Sequence, residues 1–139
     1  MRIDDGKPTI ANSVFMDNEK GIHVGASCNF KAKPSFINCA FVRNRNHGID
    51  CHHGGMSLDK CTIANNGEFG AIVGYGGDAE ASYCLVSGNK EGGLRFRNGG
   101  HGSFHGSSIT GNKKVDVEAH SKCDFRENWW GAGATRRYC

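Results

Sequence analysis

Apolar and polar positions along this chain recur in a fixed order, with a repeat unit about two dozen residues long. Five copies of one phrase carry it: Ser13-Val-Phe-Met-Asp-Asn18, Cys39-Ala-Phe-Val-Arg-Asn44, Cys61-Thr-Ile-Ala-Asn-Asn66, Cys84-Leu-Val-Ser-Gly-Asn89 and Ser107-Ser-Ile-Thr-Gly-Asn112. Successive asparagines are 26, 22, 23 and 23 residues apart. A period of this size marks a solenoid, in which each repeat is one coil and neighbouring coils bury each other's apolar face.

Aligned on the asparagine, the apolar positions fall into columns. One runs Ile10, Phe36, Leu58, Ala81, Phe104, Phe125, and a second runs Phe15, Phe41, Ile63, Val86, Ile109, Trp130. After the asparagine comes a glycine-bearing turn (Gly21, Gly48, Gly70, Gly93) and then an alternating segment. Its inward positions are Ile22, Ile49, Ala71, Leu94 and Val115, followed two residues later by Val24, Cys51, Val73, Phe96 and Val117. Alternation at period two predicts strands, and no stretch of ten or more residues has helical periodicity. Three short strands per coil, joined by glycine and asparagine turns, predict an all-β parallel β-helix of about five to six coils.

Strands stacked in register place like over like, which accounts for the phenylalanine columns and for the recurring asparagine. That asparagine is expected to adopt left-handed backbone geometry and to bond, through its amide, to the coils above and below. Cys39, Cys61 and Cys84 share one slot, which Ser13 and Ser107 fill in the flanking coils. A small, weakly polar residue recurring at one inward slot reads as a stack of reduced thiols rather than a disulfide scaffold. The total of 7 cysteines is odd and contains no Cys-x-x-Cys pair.

The 139 residues suffice for one domain. Residues 1–7 read as a thin N-terminal cap, 8–131 as the coils and 132–139 as a tail able to fold over Trp130. A β-helix exposes strand edges at its ends, so a thin cap predicts a homo-oligomer or another end-to-end partner at the N-terminal edge. The net charge is only +3 and there is no basic run, which argues against nucleic-acid binding. No run of eighteen apolar residues exists to span a membrane. The start lacks the apolar region of a signal peptide, which implies a cytoplasmic location for a native, complete chain and a secreted or surface one for a fragment.

The phrase Cys-x-Phe-x-x-Asn followed by Gly-Ile, as in Cys39 to Asn44 and Gly48-Ile49, resembles the right-handed parallel β-helix repeat of the pectate-lyase-like superfamily. The ending Asn128-Trp129-Trp130-Gly131 is similar to a closing phrase of bacterial β-helix proteins. The resemblance covers residues 8–131. It implies a right-handed coil and a groove for a long polymer on the outside of the flattest sheet. It does not by itself imply an activity, because one fold hosts many functions.

On the strand after the glycine turn, the outward columns are His23, Asp50, Ile72, Arg95, Asp116 and then Gly25, His52, Gly74, Arg97, Glu118. Asp50, His52, Arg95 and Arg97 are the candidate catalytic residues. An arginine would neutralise a sugar carboxylate and a histidine or second arginine would abstract the neighbouring proton. His23, Tyr75, Asp116 and Glu118 are candidate substrate-binding residues, and Gly25 and Gly74 would leave room for the ligand. The resulting expectation is a carbohydrate-directed protein that binds, cleaves or epimerises an acidic polysaccharide in the manner of a lyase or epimerase. The alternative is a non-catalytic solenoid scaffold or interaction module, part of a larger surface or phage-type protein, with ordinary cross-strand charge pairs.

Paired aspartates of the pectinase kind, the carboxylate cluster of pectate lyases and the Asp-Pro-His-Glu phrase of alginate epimerases are all missing. No metal site and no cofactor are expected. Alternation sends Cys51 inward and His52 outward, and His101 with His105 lacks a third ligand. Between Val24 and Phe36 the link is twelve residues, against seven or eight later. The insertion Ala26 to Lys33 is expected to protrude beside His23 and Asp50.

Overall fold

A computed structural model describes residues 1–25 and 32–138, with no helix among them. The chain makes three strands per coil. They are β1 (Arg2–Ile3), β2 (Thr9–Ala11) and β3 (Val14–Met16); then β4 (Ile22–Val24), β5 (Ser35–Ile37) and β6 (Ala40–Val42); then β7 (Ile49–His52), β8 (Gly55–Asp59) and β9 (Thr62–Ala64). The next coils give β10 (Phe69–Gly74), β11 (Asp78–Ser82) and β12 (Leu85–Ser87), then β13 (Gly92–Arg97), β14 (His101–His105) and β15 (Ser108–Thr110). β16 (Val117–Ala119), β17 (Cys123–Asp124) and β18 (Arg136–Tyr138) close the chain.

Every pairing is parallel and joins each strand to its counterpart one coil away. Sheet A has the order β1-β4-β7-β10-β13-β16-β18, sheet B the order β17-β14-β11-β8-β5-β2, and sheet C the order β15-β12-β9-β6-β3. The segments read as cap and tail thus each lend a strand to sheet A. Arg136 of the tail stacks on Trp130, its guanidinium carbon 4.9 Å from the ring centre.

The predicted columns fill the interior. Phe36, Phe41, Phe96 and Phe104 are fully buried, as are Ile22, Ile49, Ile63 and Ile109. Each such side chain contributes about 2–3 kcal/mol of apolar burial. Phe15 lies parallel on Phe41 with ring centres 5.1 Å apart. Cys39, Cys61 and Cys84 are buried free thiols, each directed at backbone carbonyls.

The asparagines form one directional chain. The Asn44 Nδ2 donates to Asn66 Oδ1 at 3.0 Å, Asn66 to Asn89 at 2.9 Å and Asn89 to Asn112 at 2.9 Å. Each side-chain oxygen also accepts the backbone N–H of the preceding asparagine. The left-handed residue is not the ladder asparagine but the one before it: Asp17, Arg43, Asn65, Gly88 and Gly111 have φ of 58°, 53°, 57°, 67° and 68°. That turn points the asparagine amide along the stack. The glycine column has a related cause. A Cβ at Gly48 or Gly70 would stand 2.7 Å from the next ladder amide, so these positions are bare for space rather than for φ.

One register differs from the sequence-based expectation. In the last coil Val117 pairs with Leu94 and Glu118 with Arg95, two residues later than the alternation predicted. Asp116 therefore leaves the outer face. It is buried at the end of the ladder, where one carboxylate oxygen accepts the Asn112 N–H and Nδ2–H and the other accepts the Thr135 N–H. A carboxylate suits this position because only donors surround it. Val115 leaves the inward column too and packs with Phe69 and Ile72 in a small cluster separate from the core.

Candidate functional site

The outer face of sheet A carries the predicted charged residues. Its central row runs His23, Asp50, Ile72, Arg95, Glu118 across β4, β7, β10, β13 and β16. The next row sets His52, Gly74 and Arg97 side by side. Asp50 and Arg95 are therefore two strand spacings apart with Ile72 between them, and the face divides into two groups.

The first group centres on Asp50. Asp50 is 3% exposed, beneath one ammonium and two imidazoles. Lys20 Nζ is 2.5 Å and His23 Nδ1 3.3 Å from Oδ2, and His52 Nε2 is 2.9 Å from Oδ1. Burial alone would raise its pKa, but the His52 and Lys20 contacts outweigh that and hold it well below the usual carboxylate range. Asp50 is thus a fixed, ionised anchor that orients two imidazoles and has no exposed oxygen to offer a substrate. The His52 ring packs edge-on against Tyr75, with centres 5.0 Å apart, and Tyr75 also meets His53 at 5.4 Å.

The second group is Arg95 and Arg97. Arg95 spans the Phe69 ring, 5.1 Å from its centre, with Nε 3.4 Å from Glu118 Oε2. Arg97 Nε has no hydrogen-bond partner among the described residues. The two groups meet over Gly74, where His52 Cδ2 and Arg97 Cγ come within 3.4 and 3.5 Å of the position a Cβ would take. At Gly74 these are ordinary van der Waals distances, so space for a methyl group stands open between the two groups. Gly25 opens no such room: it has φ of +74° at the strand end, and a Cβ there would strike the His52 carbonyl.

Beside Arg95 and Arg97 lies an open depression of about 310 Å³, bounded by His47, Glu68 and Glu91 over Phe69 and Ile72. His47 Nε2 is 3.1 Å from Glu68 Oε2. Burial lowers the His47 pKa despite that carboxylate. Lys20, His47 and Phe69 were not legible as site residues, because strict alternation assigns them to the interior. Breaking of that alternation at the glycine column turns them out, and the bulky apolar Ile72 in the otherwise charged outward column was the available signal. The insertion from Ala26 to Lys33 falls mostly outside the described residues.

Among the described residues no three His, Cys, Asp or Glu side chains converge to hold a metal ion. His101 and His105 sit at opposite ends of β14, beside Asp78 and Asp124 respectively. Cys51 is buried and His52 faces out, as alternation requires.

The chain belongs to the right-handed β-helix family: the model of the right-handed β-helix region matches residues 2–130. No curated protein and no solved structure matches it significantly.

Proposed function

We propose that the chain is a glycan-binding β-helix whose sheet A face takes an acidic polysaccharide, with Arg95 and Arg97 as the carboxylate-binding groups. The observation that carries this reading is the imbalance of charge partners on the face. Asp50 is consumed by Lys20, His23 and His52, and Glu118 stands beside Arg95, whereas no carboxylate among the described residues pairs with Arg97. A guanidinium beside an open depression recognises a planar carboxylate with two parallel hydrogen bonds. Binding is favoured over turnover because the buried aspartate is held by Lys20, His23 and His52 and is not offered to a substrate.

The test is affinity electrophoresis of the full chain through gels containing polygalacturonate, alginate or neutral dextran. Retardation by the uronates that falls about tenfold or more in Arg95→Ala/Arg97→Ala, and weakens with salt, supports the reading. Equal migration in all gels, or retardation indifferent to the two arginines, refutes it and leaves the non-catalytic scaffold. Release of an unsaturated product during the same incubations would add catalysis to binding.

A further inference from the structure

The corner between sheets A and B is shorter in one coil than in the two that follow. Two residues, His53 and Gly54, join β7 to β8, whereas three join β10 to β11 and three join β13 to β14. At the shorter corner lies a notch of about 410 Å³. Gly54 and Gly55 line it without side chains, and its polar border is Lys7, Lys33, His53, Asp78 and His101.

Register stacks the two lysines. The Lys33 N–H donates to Gly6 O and the Ser35 N–H to Pro8 O, so the pairing of β2 with β5 runs back to Lys7 and Lys33. Their Cα atoms thus stand about 4.8 Å apart, one strand spacing. One coil away from its own position, Arg43 meets Asp17, Lys114 meets Glu91 and Arg95 stands beside Glu118. Lys33 meets a like charge instead, an arrangement that destabilises the stack unless an anion joins it. Lysine ion pairs among the described residues are those of Lys20 and Lys114, so Lys7 and Lys33 have none. The sequence offers no acidic residue between Glu19 and Asp50 to supply one. Asp78 is the acid at the notch, and His101 Nε2 stands 3.7 Å from its carboxylate. The Lys33 side chain follows the bare backbone of the notch: its Cγ and Cε are 3.2 Å from the place a Gly55 Cβ would take.

We propose that this notch is an oxyanion site, which takes a sulfate or phosphate group between the ammonium ends of Lys7 and Lys33, with the His53 imidazole beside them. A tetrahedral oxyanion accepts at several oxygens, so one group can bridge two ammoniums held a strand spacing apart. Lysine suits it as a compact charge with three rotatable donors, whereas the planar arginine fork matches the carboxylate proposed for sheet A. Two ammoniums against one carboxylate leave the notch positive before either histidine is counted. The group arrives either as the free ion or as an ester on a glycan, and the two sources share this chemistry. The inference does not depend on the sheet A reading, because Arg95 and Arg97 do not border the notch.

The experiment follows the histidine ring signals of the full chain by carbon-edited NMR during titration with sodium sulfate or sodium phosphate, against sodium chloride at matched ionic strength and pH. The proposal predicts saturable shifts of His53 and His101 that chloride does not reproduce. Loss of both lysines in Lys7→Ala/Lys33→Ala should weaken that binding about tenfold or more, and Arg95→Ala/Arg97→Ala should leave it unchanged. Both lysines are exposed, so the lysine variant should keep the native far-ultraviolet spectrum and unfolding midpoint. Affinity electrophoresis through dextran sulfate and neutral dextran then separates the sources. Retardation by the sulfated polymer that falls with the lysine pair assigns an ester on a glycan, and no such fall assigns the free ion. Shifts no larger than those in chloride overturn the proposal, as do saturable shifts indifferent to the two lysines.

Discussion

Replacing Asn66 by alanine removes one rung from the middle of the ladder, and the cost can be worked from its bonds. Asn66 is fully buried. Its Nδ2 donates to Phe41 O at 3.0 Å and Asn89 Oδ1 at 2.9 Å, and its Oδ1 accepts Asn44 N–H and Asn44 Nδ2–H at 3.0 Å each. Asn89 Oδ1 keeps the Asn66 backbone donor, and Asn44 Nδ2 keeps Phe15 O. The Asn44 backbone N–H and the Phe41 carbonyl each lose a side-chain partner inside the coil. Two such groups at about 1–3 kcal/mol each give about 4 kcal/mol. Asn18, exposed at the open end, should cost under about 0.5 kcal/mol when changed to alanine. Asn66→Asp should cost more than Asn66→Ala, because its second oxygen would face two acceptors. Asp116→Asn should cost stability too, since only donors surround that site and the new amide NH2 would face one of them. Urea unfolding of the four variants at neutral pH checks the order. An Asn66→Ala loss below about 1 kcal/mol, or one equal to that of Asn18→Ala, would refute the directional ladder.

Three further outcomes follow from the same coordinates. Gly70→Ala should lose about 2–3 kcal/mol by urea unfolding, because its Cβ would stand 2.7 Å from both Asn89 Nδ2 and Gly93 O; an unchanged midpoint would show that the ladder has slack. The depressed pKa of Asp50 gives stability that is complete above its unfolded value, near pH 4, and lost as pH falls toward the lower folded value; Asp50→Asn should therefore flatten the acid limb of the stability–pH curve, and an unaltered limb would contradict the pairing. Burial pushes the Cys51 thiol up to about 12 and the Cys123 thiol up to about 11, so peptide mapping after brief iodoacetamide treatment of the native protein at neutral pH should find Cys51 and Cys123 unmodified. Rapid labelling of Cys51 would mean that the coil opens there.

The period and the columns were legible because in-register parallel stacking converts sequence phase directly into vertical neighbourhood. Phe41 over Phe15 and Asn66 between Asn44 and Asn89 needed nothing beyond alignment. The last coil was misread where the repeat loses its glycine. After Asn112 the chain reads Lys113-Lys114-Val115-Asp116, and nothing in alternation shows that Asp116 replaces the next ladder oxygen and shifts Glu118 under Arg95. Asp50 and His52 were placed correctly on the outer face, but the contact between them and the reach of Lys20 across it depend on side-chain packing that a column does not record.

The most direct test of the functional account is a crystal structure of the chain with a hexameric uronate oligosaccharide. The account predicts the ligand across the outer face of sheet A, with a carboxylate at Arg97 and Arg95 and none at Asp50. An oligosaccharide bound elsewhere on the solenoid with that face empty, at concentrations where the chain is shown to bind it, would contradict the account.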